Sequence, residues 1–215
     1  FPSSLHVGEI EGKRVALLQR HGLGHSIPPH KVNYHANICA LHKIGVKRIM
    51  ATNAVGAINL DFKPCDFVIP HDLIDFTKRR QLTFYDETPV THIDFSQPYC
   101  PEIREVLIEK SNKFSERVWD QAVYVCTEGP RFETPAEIRM FRKLGGDIVG
   151  MTSIPETVLA REIEICYATL CFVSNMAAGI ENKLTAKDVI GVSEIVMPRI
   201  KQTLIETVRD LSNDR

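Results

Sequence analysis

Short apolar runs rich in β-branched residues alternate along the chain with longer segments whose apolar residues recur at intervals of three and four. This alternation is typical of an α/β protein with a largely buried sheet. The runs predict strands over residues 14–19, 46–54, 66–70, 122–128, 147–151 and 166–175. No repeat, low-complexity tract or glycine-serine linker separates them, so we predict one domain over residues 1–215.

Three further segments predict helices. The first carries apolar residues at helical spacing from Ala36 onwards and ends at Gly45. The second begins at Thr134, where a threonine cap precedes a proline and a first-turn glutamate, and it is expected to reach about Leu144. The third covers the C-terminal part of the chain, and Pro198 is a position at which such a long helix can kink.

The composition excludes several classes of function. A formal net charge of -1 over 215 residues provides no basic excess for binding a nucleic-acid backbone or an anionic membrane, so a bound phosphate should be a small one held locally. No stretch approaches the roughly 18 apolar residues of a transmembrane helix, and the first residues do not resemble a signal peptide. The six cysteines show no C-x-x-C or metal-ligand spacing, which favours reduced thiols in a cytoplasmic protein.

Five predicted strands end in polar segments that contain glycine or hydroxyl side chains. These segments are RHGLGH (20–25), TNAVG (52–56), TEGPRFET (127–134), MTS (151–153) and SNMAAG (174–179). Ligands of open α/β sheets bind outside the carboxyl ends of the strands, so we predict that these segments line one cavity. Each residue alone also has a plainer role: Arg20 as a surface ion-pair partner, Asn53 as a turn residue, or Glu133 as a favourable charge ahead of a helix.

At these residues the sequence resembles the trimeric nucleoside phosphorylase family, which contains purine nucleoside phosphorylases and methylthioadenosine phosphorylases. The similar blocks are RHGLGHSIPPHKVNYHANICAL, ATNAVGAI, THIDFSQPYCP, TEGPRFETPAEIRMFRKLGGDIVGMTSIPETVLARE and SNMAAG, and together they extend over most of the chain. The blocks NMAAG and THIDFS look closest to bacterial methylthioinosine and 6-oxopurine phosphorylases. The resemblance implies a single α/β domain with a central mixed β-sheet flanked by helices, the nucleoside phosphorylase fold.

The resemblance also implies phosphate-dependent cleavage of the bond between a purine and a ribose-type sugar. Inorganic phosphate would be a co-substrate, and no metal or other cofactor is expected. The implied phosphate ligands are Arg20, His21, the Asn53–Ala54 backbone and the hydroxyl of Thr152. In the nucleoside site, Phe132 would stack on the purine, Met151 would pack against the ribose, and Glu133 and Asn175 would bind the base as the catalytic pair.

The identity of the base is expected to follow from that pair. Adenine-type members of the family tend to have aspartate at the positions of Asn175 and Ala177 and serine at that of Glu133, and this chain differs at all three. A carboxylate facing a carboxamide matches the N1 donor and the O6 and N7 acceptors of a 6-oxopurine. An adenine would set two acceptors against each other, so hypoxanthine or guanine is the expected base.

The sugar end and the assembly rest on the same resemblance. Leu184, Ala186 and Val189 are expected to form an apolar lining that accepts a 5′-methylthio group better than a hydroxyl. The family pattern implies a homotrimer with shared active sites, in which His92 of one subunit reaches the site of its neighbour.

One departure from the family keeps alternatives open. Family members begin with a strand and a glycine-rich phosphate loop, and this chain starts later, at Phe1. We expect that the sequence omits an amino-terminal segment of the natural protein. The alternatives are a methylthioadenosine phosphorylase or a catalytically silent nucleoside-binding protein. A dinucleotide-binding enzyme is disfavoured, because no G-x-G-x-x-G follows a strand.

Overall fold

The computed structural model describes residues 4–88, 90–181 and 186–212. Nine strands lie within these residues: β1 (Ser4–Ile10), β2 (Lys13–Gln19), β3 (Arg48–Ala57), β4 (Phe67–Val68), β5 (Asp72–Phe76), β6 (Val118–Trp119), β7 (Val123–Thr127), β8 (Ile148–Gly150) and β9 (Cys166–Met176). The helices are α1 (Tyr34–Lys43), α2 (Pro101–Phe114), α3 (Pro135–Lys143), α4 (Glu156–Glu162) and α5 (Ala186–Asp210). Single 3-10 turns cover Leu23–His25 and Pro29–Lys31.

Seven of the strands form one mixed sheet in the order β5-β7-β8-β3-β9-β4-β6. Strand β3 runs parallel to β9 and antiparallel to β8, while β5, β7 and β8 are parallel to one another. Helices α2 and α5 pack on one part of the sheet, where Ile103, Leu107, Val196 and Ile200 share a buried cluster with Leu170. The expected fold class, an α/β protein with a central mixed sheet flanked by helices, is confirmed.

The strand predicted over residues 14–19 does not belong to this sheet. It is β2, which pairs with β1 in a separate antiparallel hairpin, from Ser4 opposite Gln19 to Ile10 opposite Lys13. The apolar side of the hairpin is only partly buried, and Leu5 joins the cluster of α1 and α4. An alternating, half-buried strand has one face for the protein and one for solvent, which suits a two-stranded ribbon better than a central position.

The position of Asn53 also differs from the prediction. The strand predicted over residues 46–54 continues to Ala57, so Asn53 lies towards the middle of β3 rather than in a polar segment at its carboxyl end. The neighbouring β8 runs antiparallel, with Gly56 opposite Val149. The expectation that five carboxyl strand ends meet at one sheet edge is therefore wrong, because β3 and β9 run opposite to β7 and β8 and β2 lies outside the sheet. The residues after β8 nevertheless lie beside Asn53.

The predicted helices are present. Asn33 caps α1 by accepting a 3.0 Å hydrogen bond from the amide of Ala36. Thr134 and Glu137 form a reciprocal capping box at α3, because each side chain bonds the backbone amide of the other. Helix α5 continues for 25 residues through Pro198. The sequence did not predict β1, β5, β6, α2 or α4, which are short or lie in segments of mixed polarity.

Among the described residues, none of the helices combines the length and the apolar character needed to cross a bilayer. All six cysteines are thiols rather than disulfides.

Candidate functional site

Arg20 is the centre of the polar cluster that contains the expected phosphate ligands. It follows β2 directly, and 14% of its side chain is exposed. Its Nη2 donates to the carbonyl oxygen of Thr52 at 2.6 Å, to Oδ1 of Asn53 at 2.7 Å and to Oγ1 of Thr152 at 3.2 Å. Three residues that the sequence proposed as neighbours in one cavity, Arg20, Asn53 and Thr152, are thus in direct contact.

A buried carboxylate holds the other side of the guanidinium. Nη1 of Arg20 donates to both carboxylate oxygens of Glu156, at 3.1 and 3.3 Å, and the hydroxyl of Tyr167 donates to Oε2 of Glu156 at 2.8 Å. Glu156 begins α4 and is 4% exposed. Burial is the largest single influence and opposes the charged form of Arg20, but Glu156 and the nearby tyrosines together outweigh it, so the pKa of Arg20 lies above its ordinary value.

The antiparallel course of β8 explains why Thr152 meets Asn53. The pairing of Gly56 with Val149, continued three residues further, brings residue 152 opposite residue 53. The hydroxyl of Thr152 donates to Oδ1 of Asn53, whose Nδ2 donates to Oγ1 of Thr169 at 2.6 Å. The amide of Asn53 is therefore committed to the protein, whereas its neighbour Ala54 is exposed.

His21 lies beside Arg20 in a strained loop. Its Nδ1 is 2.8 Å from the carbonyl oxygen of Ile27, which requires a proton on Nδ1 and leaves Nε2 as the acceptor of the neutral ring. The ring stacks on His25, with centroids 4.2 Å apart, and His25 has a left-handed φ of 57°. Burial is the main cause that lowers the pKa of His21 to about 4, and the charges of Arg20 and His25 add to it. The hydrogen bond to the carbonyl oxygen of Ile27 acts in the opposite direction.

Two residues expected to bind the base, Phe132 and Glu133, lie on the loop after β7. The hydroxyl of Thr127 donates to Oε1 of Glu133 at 2.7 Å, and burial is the main cause that raises the pKa of this carboxyl. Phe132, the residue before it, is 42% exposed and free to be covered by a flat ligand. Gly129 of the same loop has a φ of 64°, and a Cβ there would lie 2.6 Å from Sδ of Met151. Met151 therefore packs against this loop.

Asn175 approaches from β9 with its amide orientation defined. Oδ1 accepts a hydrogen bond from the hydroxyl of Ser174 at 2.6 Å, and Nδ2 donates to the carbonyl oxygen of Met176 at 2.8 Å. One N–H of the amide remains for a ligand. Gly56 of β3 makes the approach possible, since a Cβ there would lie 3.2 Å from Nδ2. Ala177 is 3% exposed, and its Cα would lie 3.5 Å from the same Cβ.

The structure does not bring His92 to this cluster, and the expected 5′ lining lies outside the described residues. His92 is exposed in the segment between β5 and α2. The 5′ lining falls on Leu184 and on the side chains of Ala186 and Val189, which lie outside the described residues. Conversely, sequence reasoning assigned no role to Glu156, Thr127 or Ser174, although all three lie in or next to the quoted blocks.

A second polar group lies away from this site. Cys100, Glu102 and Cys166 bring one potential ligand atom each within 4.8 Å of one another, a proximity that their sequence spacing did not indicate. Burial raises the pKa of the Cys100 thiol to about 11, and Glu102 already accepts a 2.8 Å hydrogen bond from Arg48. A protonated thiol and an occupied carboxylate are poor metal ligands.

Comparison with known proteins agrees with this arrangement. The family described as the phosphorylase superfamily matches residues 3–209. The chain belongs to this superfamily. This phosphorylase is 56% identical, over 90% of its own length and 76% of the relative, to a probable S-methyl-5'-thioinosine phosphorylase of Methanopyrus kandleri. It is 50% identical to a 6-oxopurine nucleoside phosphorylase of Pyrococcus furiosus, over 97% of this chain and 82% of that one.

A solved methylthioadenosine phosphorylase from an Antarctic soil metagenomic library superposes with a TM-score of 0.90 at 38% identity, covering 95% of this phosphorylase and 73% of that chain. The resemblance to nucleoside phosphorylases is therefore confirmed. The expectation that bacterial members are the most similar is not met by the two relatives named above, which are archaeal.

Proposed function

We propose that this phosphorylase uses inorganic phosphate to cleave the N-glycosidic bond of 6-oxopurine nucleosides. The products would be the free base and ribose-1-phosphate, or its 5-methylthio analogue where methylthioinosine is the substrate. Relatives at about 50% identity that are named 6-oxopurine nucleoside phosphorylase and S-methyl-5'-thioinosine phosphorylase support this reaction. Phosphate would be a co-substrate, and neither a metal nor another cofactor enters the proposal.

The observation that carries the choice of base is the orientation of the Asn175 amide. Its oxygen is held by the hydroxyl of Ser174, so the amide presents an N–H to the ligand. An N–H suits O6 and N7 of a 6-oxopurine and opposes the exocyclic amine of adenine. The carboxylate of Glu133, held by Thr127, would accept from N1–H on the other side of the base. Phe132 would stack on the purine ring. The purine accumulates electron density from the breaking bond as it departs, and the contacts of Glu133 and Asn175 would stabilise that charge.

The anion end would place phosphate beneath the anomeric carbon. The guanidinium of Arg20 supplies the charge, and the Thr152 hydroxyl can rotate from Asn53 towards an oxygen of the anion. The backbone around Ala54, which is exposed beside Asn53, would add neutral donors. The sugar becomes oxocarbenium-like in the transition state, so a correctly positioned dianion and a stabilised leaving base would together supply the rate.

The assembly and the location are part of the same proposal. The protein would be a cytoplasmic homotrimer, with His92 of one subunit completing the neighbouring site near the 5′ end of the sugar. The thiol state of all six cysteines is compatible with a reducing compartment. Methylthioinosine would be preferred over inosine if the 5′ lining is apolar as the sequence indicates.

One assay tests the reaction and its alternatives. Release of free base from inosine, guanosine, adenosine, methylthioinosine and methylthioadenosine should be measured with and without phosphate. We expect release from the 6-oxopurine substrates in the presence of phosphate alone. Preference for methylthioadenosine would favour the second candidate, which the solved structural relatives suggest. Nucleoside binding without base release would identify a silent binding protein instead.

A further inference from the structure

The buried ion pair between Arg20 and Glu156 places a negative charge directly behind the proposed phosphate clamp. We propose that Glu156 is a positioning residue with two effects: it holds the Arg20 guanidinium in place while the site is empty, and its charge weakens the grip of the site on phosphate. The proposal rests on the proposed function, because it assigns Glu156 to the affinity of the same anion site.

The geometry gives Arg20 two separate attachments. Nη2 is held by oxygens of Thr52, Asn53 and Thr152, and Nη1 is held by the carboxylate of Glu156. Only the second attachment carries a charge. It is also fixed from behind, since the hydroxyl of Tyr167, a fully buried residue of β9, donates to the carboxylate at 2.8 Å. Glu156 therefore cannot move towards solvent without leaving two buried partners.

The charges of the described contacts nearly cancel. Arg20 contributes one positive charge and Glu156 one negative charge, while His21, with its pKa lowered to about 4 by burial, is neutral at physiological pH. A phosphate dianion that binds Arg20 meets a pair with no net charge and a carboxylate on the far side of the guanidinium. In a site with little water, the repulsion between that carboxylate and the dianion is poorly screened.

A lower affinity for phosphate is useful in phosphorolysis. The anion enters as inorganic phosphate and leaves as a sugar phosphate, and both bind the same guanidinium. If the site bound phosphate, the transition state and the sugar phosphate equally tightly, KM would fall but kcat would not increase. Release of the sugar phosphate would also become slower. A carboxylate behind the clamp preserves the geometry for the transition state while keeping the ground-state affinity moderate.

The substitution Glu156→Gln separates charge from shape. With its oxygen at the position of Oε2, the glutamine can accept from both Nη1 of Arg20 and the hydroxyl of Tyr167, and only the longer 3.3 Å contact of Nη1 with Oε1 is lost. We expect the Kd for inorganic phosphate, measured by calorimetry without nucleoside, to fall about 3- to 10-fold, and the KM for phosphate to fall with it. The KM for the nucleoside should stay within about twofold, and kcat should decrease because product release slows.

Two further variants keep the proposal testable if the glutamine protein folds poorly. Tyr167→Phe removes a donor that partly compensates the carboxylate, so phosphate should bind about 2- to 3-fold more weakly, the opposite direction. Glu102→Gln is the matched control, because it neutralises the 2.8 Å ion pair with Arg48 far from the site and should leave phosphate affinity unchanged.

Unchanged or weaker phosphate binding in Glu156→Gln would overturn the proposal, as would an equal effect of Glu102→Gln. The failure of the proposed function looks different. In that case the natural protein releases no base from any nucleoside, yet the phosphate affinities of the variants still report on Glu156.

Discussion

The hydroxyl of Thr127 donates a 2.7 Å hydrogen bond to the carboxylate of Glu133, across six residues of the loop that follows β7. This bond opposes the effect of burial, which raises the pKa of Glu133. It therefore helps to keep the carboxylate ionised and in one orientation. The ionised form is the one that would accept a hydrogen bond from N1–H of a 6-oxopurine.

Thr127→Val should shift the pH dependence of catalysis. Without the hydroxyl, the pKa of Glu133 rises further, and the ionised form is lost at a higher pH as the pH falls. We expect kcat/KM for inosine to fall about tenfold near neutral pH, with the acidic limb of its pH profile displaced to higher pH. A profile with the natural acidic limb and a lower plateau would mean that Thr127 acts on something other than Glu133.

Asn175→Asp should change the preferred base. A carboxyl at this position can accept from the exocyclic amine of adenine or share a proton with N7, whereas the natural amide presents an N–H. The ratio of kcat/KM for adenosine to that for inosine should rise about 10- to 100-fold, and Glu133→Ser in the same chain should increase it further. Steady-state kinetics with both nucleosides measures the ratio; if it does not change, the assignment of the base pocket is wrong.

His21 should make the protein less stable in mild acid. Its pKa is about 6.5 in the unfolded chain and about 4 in the folded protein, where burial and the charge of Arg20 oppose protonation. Between these values the unfolded state binds the proton and the folded state does not, so the free energy of unfolding falls as the pH falls from 6.5 to 4. Urea titrations of the natural protein and of His21→Gln should show a shallower fall in the variant. Parallel curves over this range would contradict the neutral assignment of His21.

His92 should act in the active site of a neighbouring subunit. His92→Ala and Arg20→Ala should each reduce activity at least about tenfold, because each removes a site residue. When both variants are expressed together in equal amounts, about a quarter of all sites, one in each mixed trimer, combine an intact Arg20 with a neighbour's intact His92, so activity should recover.

Arg20→Ala expressed together with Thr152→Val is the matched control, since both residues lie in the same subunit's half of the site. That pair should show no recovery. Sedimentation of a fully active monomer would contradict the shared site outright.

Gly150 should tolerate no side chain. A Cβ at this position would lie 2.0 Å from the hydroxyl oxygen and 2.6 Å from Cζ of Tyr124, which is fully buried. We expect Gly150→Ala to reduce the free energy of unfolding by about 2 to 3 kcal/mol. Adding Tyr124→Phe should recover part of the loss, because it removes the nearest atom but leaves the ring. Gly8→Ala, at a strand position with no atom within 4 Å, is the control and should change stability by less than about 0.5 kcal/mol.

Local patterns were sufficient for the elements that local physics determines. The capping box of Thr134 and Glu137 needs only four consecutive residues, and the structure has it as predicted. The long apolar run of β9 is likewise buried along most of its length. Both features depend on interactions between residues that are close in sequence or on burial alone.

Partners across the sheet were beyond the reach of those patterns. Whether a strand pairs in parallel or antiparallel fashion depends on distant segments, so the antiparallel β8 and the opposition of Asn53 and Thr152 could not be derived from alternation. The same holds for Glu156, which reads as an ordinary residue at the start of a helix until the fold places it against Arg20. The contact of Cys100 with Cys166 is a third case, because no short spacing joins them.

The separation between Arg20 and Glu156 along the chain is 136 residues, and this distance orders events during synthesis. During translation, Arg20 is synthesised long before Glu156. Bringing the two residues together closes a large loop, and the assembled sheet must offset the entropy that this costs. Until β9 and α4 have been made and packed, the arginine has water rather than a carboxylate as its partner. The ion pair at the proposed anion site is therefore a property of the finished chain, and a translation product that ends before residue 156 carries Arg20 without its counter-ion.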